Sequence, residues 1–188
     1  MRFLPILGFV AVLLAGCGST PPLTLYTLAA PDVAADAGSL GARPVVIAVA
    51  RVTVPDELDT EDIVVRDGST LRRSTVGRWA SRLSLGLTDR VTQRLAERRP
   101  DALVTDRPLT DTPSYRVLIN VGRLDVTAAG VATVDADWMV VPRDAGAATR
   151  RDRGHFTATG RVATDTDVVA LLGVVLDQMA GAIDVGGR

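Results

Sequence analysis

The sequence predicts one mixed domain of the α/β (or α+β) class: a mixed β-sheet with two main helices packed against it. Three observations lead there. Residues 45–49, 115–121, 132–140 and 151–159 are rich in β-branched side chains or alternate apolar with polar, which is the period of strands. Leu83, Leu87, Val91 and Leu95 recur every four residues, the spacing of one helix face. A late stretch from Asp165 to Asp184 is apolar over more than one stripe, as expected of a helix packed deep in a domain.

In chain order, a short strand is expected over 24–28, and the Ala-, Asp- and Gly-rich residues 29–41 loop to the next. Val45-Val46-Ile47-Ala48-Val49 is an unbroken run of the kind covered on both faces, and Pro55 ends it. Ile63 to Arg66 and Leu71 to Thr75 flank Asp67-Gly68, a hairpin signal. The first helix is expected over 80–98, with Trp79 at its opening and Pro100 closing it. Tyr115, Val117, Ile119 and Val121 alternate in the next strand. Ala132 to Val140 alternates against Thr133, Asp135 and Asp137, and Arg151, Arg153 and His155 alternate against Phe156 and Ala158. Paired as a hairpin, these two strands set an acidic row beside a basic one. The last helix would be capped by Thr164 or Thr166, with Asp165 and Asp167 at the positive end of its dipole. Whether the two helices lie on one face of the sheet or both is left open by the pattern.

Composition excludes much of enzymology. The chain has 188 residues, 47% hydrophobic and 23% charged, with one cysteine, one histidine and a net charge of -1. That balance gives no electrostatic footprint for nucleic acid. Lysine is absent, which removes Schiff-base and P-loop lysine chemistry. One cysteine removes an intramolecular disulfide and multi-thiolate metal sites, and one histidine removes two-histidine metal motifs. Asp56, Glu57, Asp59, Glu61 and Asp62 are dense but lack EF-hand spacing, so they read as a solvated loop. His155 sits in the polar row of a strand. No serine lies in a Gly-x-Ser-x-Gly elbow, and no phosphate-binding glycine loop occurs. No catalytic residue, cofactor site or metal site is therefore assigned. Trp79 reads as a core anchor, and Arg78 with Trp79 is retained as the candidate partner-binding pair.

Met1-Arg2, an apolar run to Leu14 and then small residues have the order of an export signal, too short for a spanning helix of about 20 residues. Leu14-Ala15-Gly16-Cys17 resembles the lipobox of bacterial lipoproteins. That resemblance implies cleavage after Gly16, diacylglyceryl attachment at the Cys17 sulfur and acylation of the new amino terminus. Gly18 in place of aspartate after the cysteine favours the outer membrane over the inner by the enterobacterial sorting rule. The expected organisation is a signal peptide at 1–16, a lipidated tether at 17–23, a domain at 24–184 and a tail at 185–188.

A longer resemblance rests on order and spacing. The lipobox is followed by Leu25-Tyr26-Thr27-Leu28, then by a valine-rich strand leading to Val54-Pro55-Asp56-Glu57-Leu58-Asp59. Ile63-Val64-Val65-Arg66, Arg78-Trp79-Ala80, the amphipathic helix and a late strand with Trp138 complete the set. This succession resembles the ABC-type transport auxiliary lipoproteins, the PqiC-like family, from Cys17 to the last helix. Ser81-Arg82-Leu83 departs from the Glu-Pro-Leu common there. The resemblance implies an accessory lipoprotein without enzyme activity. Its partners would be an ABC permease and ATPase and a periplasm-bridging MCE-domain protein, moving lipid between membranes and supporting envelope integrity. It leaves a homo-oligomer open. The residues by themselves also fit a structural or regulatory envelope lipoprotein, such as a cell-wall synthesis activator or a secretion-pore component.

Overall fold

Alternating segments become strands and periodic segments helices, in a computed structural model that describes residues 22–28 and 44–186. The order is β1 (Thr24–Tyr26), β2 (Val45–Val49), β3 (Asp62–Asp67), β4 (Thr70–Trp79), α1 (Leu83–Arg98) and β5 (Ala102–Thr105). β6 (Tyr115–Val126), β7 (Val131–Pro142), β8 (Arg150–Thr159) and α2 (Asp165–Ala182) follow. The expected mixed α/β domain is present, but its strands divide into two mixed sheets. One is three-stranded, ordered β1-β4-β3, and the other five-stranded, ordered β5-β2-β6-β7-β8.

The large sheet is built around β6. β2 lies parallel to β5 and to β6, whereas β6–β7 and β7–β8 are antiparallel. Alternation puts Val117, Ile119 and Val121 of β6 and Ala132, Val134, Ala136, Trp138 and Val140 of β7 on the buried side. α1 supplies Leu87, Val91 and Leu95 to the same core, and α2 supplies Leu172, Val175, Leu176 and Met179. α1 packs on β2, β5 and α2, while α2 packs on β7 and β8. Arg116, Asn120, Asp137, Arg151, Arg153 and His155, pointing the other way, are exposed. Both helices thus lie on one face of the sheet.

The expected acidic and basic rows meet in register, Asp135 opposite His155 and Asp137 opposite Arg153. Thr164 caps α2 in a reciprocal box. Its hydroxyl accepts the Asp167 backbone N–H, and the Asp167 carboxylate accepts that of Thr164. The small sheet closes the N-terminal end of α2. Ser74 donates to Asp165 at 2.7 Å, Tyr26 and Thr166 join their hydroxyls, and Arg66 bridges to Thr127 beyond β6.

Several boundaries differ from the sequence reading. β4 runs on to Trp79, so α1 begins at Leu83 and not at Ala80. The helix can start there because a distant side chain caps it: Ser84 N–H donates to the Asp59 carboxylate at 3.0 Å, while Arg82 makes no side-chain cap. β5 is an additional strand; four residues are too few to show a period. Val185, read as part of the tail, is buried, and Arg99 donates to the carbonyls of Val185 and Gly186.

Candidate functional site

Cys17, the residue expected to carry lipid, lies outside the described residues, as does the 29–41 stretch. β1 runs parallel to β4, with Thr24 opposite Gly77, Leu25 opposite Arg78 and Tyr26 opposite Trp79. β1 is an edge strand of the small sheet, so Leu23 and Thr24 lead into the fold directly beside the Arg78-Trp79 pair.

Those two residues sit next to each other but point apart. Trp79, only 6% exposed, faces the core. The two recesses it borders measure about 20 and 80 Å³. Sites that enclose a drug-sized ligand run to roughly 300–1,000 Å³, so neither recess would hold one. Arg78 turns outward, donates to the Ser74 and Gly77 carbonyls at 2.5 and 2.8 Å, and pairs with Asp62 at 3.0 Å. Gly77, just before them, has no room for a side chain, because a Cβ would overlap the Asp165 carboxylate that Ser74 holds.

The acidic loop is structural in a way its composition does not reveal. Asp59 caps α1 and pairs with Arg51 and Arg82 at 3.4 and 3.8 Å. Burial pushes its carboxyl up, but the bonds from Ser84 and the two arginines outweigh that and hold it below the ordinary range. Asp62 takes Arg73 and Arg78 at 3.1 and 3.0 Å. Among the described residues no three His, Cys, Asp or Glu side chains gather as metal ligands would. His155 Nδ1 meets Asp135 Oδ1 at 2.5 Å, a cross-strand pair on the open face of the large sheet.

Two further aspartates fasten the layers. Asp125, almost fully buried, takes Arg66 from β3 at 2.6 Å and Arg123 from its own strand at 2.8 Å, tying the small sheet to the large one. Asp177 on α2 takes Arg90 and Arg94 of α1 at 2.7 and 2.5 Å. In each, burial raises the carboxyl pKa and the arginine bonds more than reverse it. Asp89 is the opposite case. Burial and the nearby Asp106 carboxylate push it up, more than Arg107 pulls it down. Sequence reading did not single out any of these long-range partners, since Arg66–Asp125 and Arg90–Asp177 span 59 and 87 positions.

The described apolar surface is uneven. Leu23, Leu25, Val76, Leu85, Leu103, Leu109 and Val174 are its exposed large hydrophobic side chains. No helix among the described residues is long and apolar enough to cross a membrane.

Comparison with known proteins places this geometry. A family model described as the ABC-type transport auxiliary lipoprotein component matches residues 26–184. A crystal structure of an uncharacterized protein superposes with a TM-score of 0.67 at 17% identity, covering 85% of this chain and 95% of its own. A Xanthomonas campestris protein carrying the family label DUF330 superposes with a TM-score of 0.57 at 18% identity, covering 84% and 90%. At such identities these structures report the shared fold. No curated protein matches the chain.

Proposed function

The chain belongs to the ABC-type transport auxiliary lipoprotein family, and from that premise we propose that it is the membrane-anchored periplasmic accessory of an MCE/ABC-type intermembrane lipid transport system. The observation that carries this reading is the match from residue 26 to 184, which takes in β2 to β8 and both helices. Cys17 holds the anchor. One acyl chain binds a membrane marginally, whereas two or three on one residue hold a folded domain without a spanning helix. The tether at 17–23 sets the domain's reach. The domain docks or caps the MCE-domain protein at the periplasmic face of the outer membrane, with Gly18 supporting that leaflet. Work is done by positioning, and the energy comes from the ATPase across the periplasm.

Two measurements test this. Mass spectrometry of the mature amino terminus is expected to find a lipid-modified Cys17, and Cys17→Ser is expected to release the protein from the membrane fraction. Affinity capture from solubilised envelopes is expected to recover an MCE-domain protein with its permease. Recovery of only cell-wall synthesis or secretion-pore components would overturn the transport reading and leave a structural or regulatory lipoprotein.

A further inference from the structure

Three of the seven exposed large hydrophobic side chains fall on one spot. Leu23 and Leu25 are 57% and 61% exposed, and Val76 on the neighbouring strand is 39% exposed. Register explains their grouping. Tyr26 and Trp79 are opposite one another and point inward, so the alternate residues Leu25 and Arg78 point outward together. Carried one step beyond the Thr24–Gly77 pair, the same register would set Leu23 beside Val76. Single exposed apolar residues need no explanation, but a contiguous set at a strand edge does.

The chain leading to this patch limits where it can be. Six residue steps separate Cys17 from Leu23, which at full extension is about 20 Å. A domain held by lipid at Cys17 therefore keeps Leu23 within that distance of the bilayer surface. The neighbouring charges suit phosphate headgroups. Arg78 flanks Leu25, and Arg72 and Arg73 on the same strand are largely exposed, with Asp62 and Asp67 as their only ion-pair partners among the described residues.

We propose that the outer face of β1 and β4, formed by Leu23, Leu25 and Val76, rests on the same membrane that holds the lipidated terminus, and so fixes the domain's orientation. This rests on the reading of Cys17 as the anchor. A bilayer fits better than a protein partner because the patch is small. Stable protein interfaces bury about 800 Å² per partner, which three side chains do not supply. A tethered patch needs only weak intrinsic affinity, because the anchor makes the second contact intramolecular. The arginines add attraction to anionic headgroups.

The test uses the mature lipidated chain in vesicles of phosphatidylethanolamine and phosphatidylglycerol. An environment-sensitive fluorophore is placed on Leu25→Cys, Val76→Cys or Arg153→Cys, the last lying on the open face of the large sheet. The Cys17 sulfur, blocked as a thioether, takes no label. All three are expected to float with the vesicles. The probes at 25 and 76 should show blue-shifted, several-fold brighter emission that brominated lipid quenches, and the probe at 153 should not. Adding Leu23→Ser and Val76→Ser to the Leu25→Cys chain should return its emission to the value in water. Flotation of every variant with all three probes in water would overturn docking and leave the anchor intact. Failure to float would overturn the anchor reading, and docking with it.

Discussion

Replacing Asp177 by asparagine should loosen the contact between the two helices by an amount the geometry lets one work out. The carboxylate accepts four bonds: Arg90 Nε and Nη2 at 2.7 Å each, and Arg94 Nε and Nη2 at 2.8 and 2.5 Å. Removing one partner of a buried ion pair costs about 3–5 kcal/mol, and an exposed pair contributes about 0.2–1 kcal/mol. With side-chain exposures of 30% for Asp177, 12% for Arg90 and 34% for Arg94, this cluster lies between those limits. A loss of about 2 kcal/mol follows, or roughly 6 °C in Tm for a domain of this size. Urea and thermal unfolding at neutral pH would measure it. The pH dependence gives a second check. Asp177 is held below the ordinary carboxylate range, because the Arg94 and Arg90 bonds outweigh the opposing effect of burial. Its contribution is thus present above the unfolded value, about 3.9, and is lost as pH falls through the folded value. The gap between parent and variant should close in acid. A gap below about 0.5 kcal/mol at neutral pH, the range of ordinary surface changes, or one that stays constant into acid, would refute the reasoning.

Three other changes follow from local geometry. Thr164→Ala removes the capping box of α2 and should lower stability by about 1 kcal/mol in denaturant unfolding. Gly130→Ala should destabilise by more than that, measured the same way. Gly130 has φ +78° in the β6–β7 turn, and a Cβ there would overlap the Gly160 carbonyl oxygen. Asp89→Asn should stabilise by a few tenths of a kcal/mol at neutral pH, the size of a like-charge pair on a helix surface. The raised Asp89 carboxyl penalises the fold fully above its folded pKa and not at all below its unfolded value, so this gain should shrink as pH falls through that interval; a gain that persists in acid would exclude the Asp89 charge as its source.

How much of this was legible depended on the range of the interaction. The Asp67-Gly68 turn is local, and Gly68 has the left-handed φ of +59° that such a turn needs. The α2 cap and the alternation of β7 are equally local: Thr164, one of the two threonines the pattern offers, is the cap, and β7 alternates as its sequence does. The start of α1 was not legible in the same way. Residues 80–82 have nothing against helix, but Trp79 N–H donates to Glu61 C=O and Ala80 N–H to Tyr26 C=O, which extends the sheet geometry. Helix formation then waits for the Asp59 cap. The division into two sheets was hidden for a similar reason: a strand's pattern shows which face is buried, but not which strand lies beside it.

Lysine is absent, so arginine alone supplies the cations that join the layers. Four aspartates, Asp59, Asp62, Asp125 and Asp177, are each bracketed by two arginines. They join the 53–61 loop to α1, the two arms of the β3–β4 hairpin, the small sheet to the large, and α1 to α2. A guanidinium offers a planar fork of donors that can serve a carboxylate and a carbonyl at once, which an ammonium matches poorly. Arg90 does this, holding Asp177 with two nitrogens and the Leu28 carbonyl with the third. Arg98 likewise covers the carbonyls of Ala180 and Ile183 at the C-terminal end of α2, which has no basic residue of its own in its last turn. Most of this charge is used within the fold, while the Arg72 and Arg73 side chains stay largely exposed. Leu23, Leu25 and Val76, exposed at the apolar edge of β1 and β4, take part in none of these joints.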